Sequence, residues 1–251
     1  MMSSNSNQQA GLRRRPGAVA AQTGELFDAG LRQRMLGIYN YMLGGLALSG
    51  AVAWTLTTTG AGALFFSGPG QFTPLGWVAV FAPLGLLLLA SFSAARLSTP
   101  TTQMLYWSIA GLQGVSLALI FQSFTGQSIA QVFFVTAAAF GALSLWGYTT
   151  KKSLSGWGSF LIMGLVGVII ASIVNLFLQS SMLHFVVASI GVLVFAGLTA
   201  YDTQRLKDDY VSGVIGEAPA KAQVWGALSL YLNFVNLFQL LLSLFGQRQE
   251  Q

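Results

Sequence analysis

The chain has 251 residues, is 54% hydrophobic and only 8% charged, and carries 12 Lys and Arg against 7 Asp and Glu. Soluble domains carry about 25% charged residues, so a chain this apolar cannot solvate itself as a globule and is expected in lipid. It has no cysteine and a single histidine, His184, which excludes disulfides, thiolate nucleophiles, iron–sulfur ligation and the usual zinc sites.

Residues 1–34 are polar, rich in Gln, Ser, Asn, Gly and Ala at the start, and read as a flexible cytoplasmic tail. Arg13, Arg14 and Arg15 precede Pro16, and no apolar run follows them directly. They therefore make neither a cleavable signal nor an export signal. Their expected partner is the anionic inner leaflet and not nucleic acid. A helical crossing needs about 20 apolar residues. Seven stretches meet that test, at 35–56, 75–95, 104–121, 129–148, 160–178, 183–202 and 225–245. Together they define an all-α integral membrane domain over 35–246, followed by a short tail, 247–251. Glycine- and threonine-rich residues 60–74, the Ser98-Thr99-Pro100 break and polar residues 123–128 punctuate the early spans. Glycines inside the spans, such as Gly114, Gly141 and Gly191, fit close helix packing in a bilayer. None has the spacing of a phosphate loop.

Lys and Arg favour the cytoplasmic side. With the N-terminus inside, the inner segments carry Arg32, Arg34, Arg96, Lys151, Lys152, Arg205, Lys207 and Lys221. Connectors 57–74, 122–128 and 179–182 hold no Lys or Arg, and only Arg248 breaks the pattern. The expected orientation is N-terminus inside and C-terminus outside, unless the seventh segment is re-entrant.

Asp202 closes the apolar stretch 185–201. A charge at membrane depth costs roughly 2.5–3.5 kcal/mol on insertion scales. Either the carboxylate is a paired functional group, or it marks the water boundary ahead of Gln204, Arg205 and Lys207. Arg96 ends the second span at the same level, as a partner for Asp202 or as an ordinary anchor. On the seventh span Ser229, Asn233, Asn236, Gln239 and Ser243 are spaced by four, three, three and four residues, one stripe on a helix. Such a stripe either bonds helices together or lines a polar path. Ser172, Asn175 and Gln179, along the fifth span, and Asn40, on the first, read as packing residues. His184 and Asp202 bound one span and lie roughly 27 Å apart at 1.5 Å per residue. They cannot share a proton relay with a serine, so an enzyme is not expected.

Four stretches carry a resemblance: residues 30–42 (GLRQRMLGIYNYM), 136–152 (TAAAFGALSLWGYTTKK), 200–204 (AYDTQ) and 227–238 (ALSLYLNFVNLF). In this order they resemble the bacterial branch of the transmembrane Bax inhibitor motif family. The resemblance implies a seven-helix fold with six helices surrounding the seventh, in a bacterial inner membrane. It also implies a cation leak, chiefly of calcium, gated when two aspartates on the sixth and seventh helices share a proton. An arginine near the end of the second helix would hold the path shut. Asp202 matches the first aspartate, and Arg96 falls about where the arginine should.

The second aspartate is replaced by Asn233. Two close carboxylates cannot easily both ionise, which makes such a pair a pH sensor, whereas an asparagine has no proton to lose in this range. The expected ion path or gate is Asp202, Asn233, Arg96, Asn236 and Ser229, with weakened pH gating. No cofactor is expected. Calcium would be a transient occupant at Asp202, because one carboxylate and an amide make a poor calcium site. The alternative is a non-conducting regulator or partner of a membrane-anchored ATP-dependent protease, gripped by its polar N-terminal tail.

Overall fold

The structure, a computed structural model, describes residues 16–68, 71–93, 96–212 and 219–249, with side chains from residue 28 onward. The expectations for residues 1–15, including the three tandem arginines, lie outside the described residues. The same holds for residues 250 and 251 of the short tail.

Seven helices account for nearly everything described. They are α1 (Pro16–Thr58), α2 (Pro74–Ser93), α3 (Thr99–Ser123), α4 (Gly126–Thr149), α5 (Ser155–Leu178), α6 (Ser181–Val211) and α7 (Pro219–Phe245). All seven are long and apolar enough to cross a membrane, α1 over Asp28–Thr58. Each expected span falls on one helix, the second apart from residues 94 and 95, which lie outside the described residues. Two helices outrun their apolar stretch. α1 is already helical at Pro16, so the tail expected through residue 34 is shorter than composition suggested. α6 continues nine residues past Asp202 to Val211. Hydropathy reports where lipid touches a helix, and the helix itself extends wherever backbone propensity allows.

Helix starts follow local chemistry. The Ser98, Thr125 and Ser180 side chains accept from the backbone N–H groups of Thr101, Ser128 and Leu183 at 3.3, 3.3 and 3.2 Å. These are N-caps that satisfy donors the helix cannot. Pro100 sits in the first turn of α3, where its missing N–H costs nothing. The α1–α2 connector folds into a short 3-10 turn, Ala61–Leu64, and a two-stranded hairpin, Phe66–Gly68 against Gln71–Phe72. Phe72 meets Trp77 at a tilt and Trp77 stacks on Phe81, with ring centroids 4.8 and 5.8 Å apart, a cluster of the kind that suits a membrane interface.

α7 is the most buried helix of the seven. Val224, Ala227, Leu230, Tyr231 and Leu242 on it are fully enclosed. It packs against α6, α1, α4 and α3, while α2 lies mainly on α3 and α5 mainly on α6. The six other helices therefore do not reach α7 equally. At 27 residues α7 is about 40 Å long. Its far end is stitched to the α3–α4 turn: Thr125 N–H donates to the Gln247 carbonyl and Gln249 N–H to the Ser123 carbonyl, both at 3.0 Å. The Gln247 N–H also donates to Ser128 Oγ at 2.9 Å. The seventh segment thus runs the full length of the bundle without turning back.

Glycine sets the closest helix approaches. A methyl group on Gly147 of α4 would sit 2.9 Å from the Ala200 Cα of α6, and one on Gly114 of α3 2.7 Å from the Val52 Cβ of α1. Gly141, also on α4, faces open space. Overpacking costs typically about 1–3 kcal/mol. Gly147→Ala is expected to lose about that much, while Gly141→Ala stays near the natural chain, as read by thermal unfolding in one detergent.

Candidate functional site

The four residues after Ala200 leave α6 in four directions, and each meets a different neighbour. Tyr201 packs over Gly158 of α5, where any side chain would collide with the ring at 2.6–2.8 Å. Thr203 shares a hydrogen bond of 2.9 Å with Ser144 of α4, and Ser144 shares one of 2.5 Å with the Tyr39 hydroxyl of α1. Gln204 clamps the α4–α5 connector: its Oε1 accepts from the Leu154 N–H at 2.6 Å and its Nε2 donates to the Lys152 carbonyl at 2.9 Å. One turn further on, Lys207 Nζ donates to the Tyr148 carbonyl at 2.8 Å.

Asp202 faces α7. Its Oδ2 accepts from Ser229 Oγ at 2.5 Å and from Asn233 Nδ2 at 2.8 Å. Ser229 and Asn233 are four residues apart on one helix face, so a single carboxylate oxygen meets both. The other oxygen, Oδ1, pairs with Arg205 Nη2 at 3.1 Å. The Asp202 side chain is 8% exposed and that of Arg205 46%, so the pair runs from the bundle interior to its edge. The Arg205 guanidinium also lies 5.8 Å from the centre of the Tyr201 ring. An exposed ion pair is worth little, because water screens it. Hydrogen bonds to a buried charge are worth more, about 1.5–3 kcal/mol each. The α7 donors therefore do most to hold the carboxylate.

These contacts bear on the two readings of Asp202. It lies inside a continuous helix with its side chain turned into the bundle and paired there. Its cation is not the expected one. Arg96 is exposed and, among the described residues, takes part in no ion pair, whereas Arg205 does. The reason is packing: α2 lies on α3, away from α6, while a residue three positions along the same helix is always within reach. The α7 stripe also divides. Ser229 and Asn233 meet the carboxylate, but Asn236 Nδ2 donates back to the Leu232 carbonyl at 2.8 Å and Ser243 Oγ to the Leu240 carbonyl at 2.8 Å. Of the five stripe residues, two thus meet the carboxylate and two are bonded to their own helix. On α5, Ser172 donates to the Val168 carbonyl, and Asn175 Oδ1 accepts from the Ser180 N–H at the turn into α6.

Reasoning from sequence missed Arg205, Thr203 and Gln204. Arg205 was legible as an i, i+3 partner of Asp202, but was weighed only as an inside charge. Also missed was a buried junction of three helices. Ser49 Oγ of α1 donates to the Gly45 and Ala110 carbonyls, both at 2.8 Å, and shares a 2.7 Å bond with the Tyr231 hydroxyl of α7. A lone serine in an apolar run carries no signal of that role.

The family model described as inhibitor of apoptosis-promoting Bax1 matches residues 31–250. The chain belongs to the Bax inhibitor family. Its relatives include an uncharacterized protein of Caulobacter vibrioides, 51% identical over 229 residues, covering 89% of this chain and 92% of that one. An uncharacterized protein of Rickettsia prowazekii is 44% identical, covering 89% and 93%. The inner membrane protein YbhL of Escherichia coli is 42% identical over 224 residues, covering 88% and 94%. This Bax inhibitor family chain is an integral membrane protein. Its buried carboxylate meets the Asn233 amide of α7.

Removing an α7 donor strands a buried charge, which is costlier than removing an exposed cation. Asn233→Ala is expected to lower stability by about 1.5–3 kcal/mol and Ser229→Ala by a similar or smaller amount. Arg205→Gln is expected to cost less than about 1 kcal/mol. Thermal or denaturant unfolding of the three variants in detergent gives the order.

Proposed function

We propose that the chain is a cation leak, with calcium as the ion to test, and that the described conformation is its closed state. The observation that carries this reading is the saturation of Asp202. One oxygen takes two donors from α7 and the other takes Arg205, so an ion meeting the carboxylate must displace them. Calcium would pass Asp202 and not reside there, because calcium prefers six to eight hard oxygens. Among the described residues no group of three or more acidic or histidine side chains is placed to hold a metal.

Asn233 makes the closure insensitive to pH. A protonated aspartate in its place would donate to Asp202 as the amide does. An ionised one would repel it and release the contact. The amide keeps its donor at every physiological pH. Arg205 takes the role that the family resemblance gives to an arginine on α2.

The N-terminus is proposed to lie in the cytoplasm of a bacterial cell, in its inner membrane. The support is charge asymmetry: one end of the bundle carries Arg32, Arg96, Lys151, Lys152, Arg205 and Lys207. The α1–α2, α3–α4 and α5–α6 connectors at the other end carry no Lys or Arg.

The test is calcium entry into dye-loaded proteoliposomes from pH 6 to 8. The natural chain is expected to leak weakly and evenly across that range. Arg205→Gln should raise the leak severalfold, Arg96→Gln should leave it alone, and Asn233→Asp should make it vary with pH. An unchanged, pH-flat leak in Asn233→Asp, or a response to Arg96→Gln in place of Arg205→Gln, would sink this reading.

The same saturation favours a second reading, a non-conducting partner of a membrane-anchored ATP-dependent protease. No flux from the natural chain, from Arg205→Gln or from Asn233→Asp would select it. Deleting residues 1–15 should then abolish association with the protease.

A further inference from the structure

α1 and α4 flank each other without close packing. Between them run two cavities, both open toward the surroundings. One, of about 700 Å³, lies at the Asp202 end and is lined from Asp28 to Leu43 on α1 and from Phe140 to Tyr148 on α4. The other, of about 440 Å³, lies at the opposite end between Leu46, Gly50 and Trp54 of α1 and Ile129, Ala130 and Phe133 of α4. Each lies in the ~300–1,000 Å³ range of small-molecule sites. Along α1 the lining repeats every three or four residues through both cavities, so the two lie in line along the α1–α4 fissure, the second walled also by Phe121 of α3 and Phe238 of α7. A methyl group added at Gly50, Gly126 or Gly141, all in that lining, would meet nothing within 4 Å. At the level of Ser144 the gap is bridged by the Tyr39 hydroxyl.

The chemistry of the mouth points to the occupant. The walls are apolar, but the Asp202 end opens beside exposed Arg32, which is in no ion pair among the described residues. Lys207 is held against Tyr148, the last lining residue of α4, with Nζ 5.2 Å from its ring centre. Exposed Lys151 and Lys152 follow within four residues. Asp28 lines the same mouth one turn before Arg32, and exposed Asp208 and Asp209 follow Lys207, so these four cations stand against three carboxylates. The balance is positive by one charge, at the end of an apolar trough. We infer that this fissure is a binding site for one anionic phospholipid, its headgroup at Arg32 and the Lys207 end and an acyl chain along Met35, Leu43 and Phe140. The inference does not rest on the leak.

The test is native mass spectrometry of the detergent-purified chain, titrated with dioleoyl phosphatidylglycerol or dioleoyl phosphatidylcholine. The natural chain is expected to bind a single phosphatidylglycerol in preference to phosphatidylcholine. Arg32→Gln should reduce that preference roughly fivefold, the equivalent of about 1 kcal/mol per interfacial cation. Gly141→Phe, which fills open space, should remove the tight binding of both lipids while leaving the unfolding temperature near that of the natural chain. Equal binding of the two lipids by the natural chain would overturn the inference, and so would lipid binding indifferent to Gly141→Phe. A dimer mass lost in Gly141→Phe would also overturn it, by assigning the fissure to a second copy of the chain.

Discussion

A carboxylate inside a membrane bundle must be given donors, and the arrangement around Asp202 follows from that requirement. α6 brings the acid and α7 brings Ser229 and Asn233 from the face that meets it. The neighbouring residues of α6 then fix the helix to the rest of the bundle: Thr203 through Ser144 toward α1, and Gln204 to the α4–α5 connector. Because these bonds come from consecutive residues, α6 cannot rotate to release Asp202 without also breaking those of Thr203 and Gln204. The carboxylate is thus held by the register of a whole helix as well as by its own partners.

That coupling gives the asparagine its importance. A pair of carboxylates is a switch because its attraction depends on one shared proton. A carboxylate and an amide attract whether or not protons are scarce. On the proposed reading, Asn233 keeps the shape of such a contact and removes its dependence on pH. The Arg205 pair is a weaker element, because half of that side chain is exposed and screened. It also lies at the edge of the bundle, where it can move without disturbing the core. Asp202 is therefore held by a firm internal contact and a loose peripheral one.

Much of this was legible in the sequence. The seven spans follow from hydropathy, because lipid selects apolar side chains over a fixed length. The Asp202–Ser229–Asn233 site was approachable because a polar stripe with helical spacing in an apolar helix must meet something polar. Three features were not legible. The ends of α1 and α6 lie beyond the apolar stretches, since a helix leaving the bilayer no longer needs to be hydrophobic. The partner of Asp202 depends on which helices touch, and Arg96, just past the end of α2, makes no ion pair among the described residues where α2 packs on α3. Asn236 and Ser243 belong to the stripe by spacing but bond to their own backbone, an option open to any polar residue on a helix.

The central claim is that the α6–α7 contact at Asp202 stays closed across pH because Asn233 does not titrate. Pulsed electron spin resonance measures it directly, and the chain has no cysteine to interfere. Cysteines at exposed Asp208, near the end of α6, and exposed Ala220, at the start of α7, would carry spin labels in liposomes at pH 6 and pH 8. The expected result is one distance distribution, the same at both pH values, which splits or shifts with pH once Asn233 is changed to Asp. A natural chain whose distance changes between pH 6 and 8 would contradict the account.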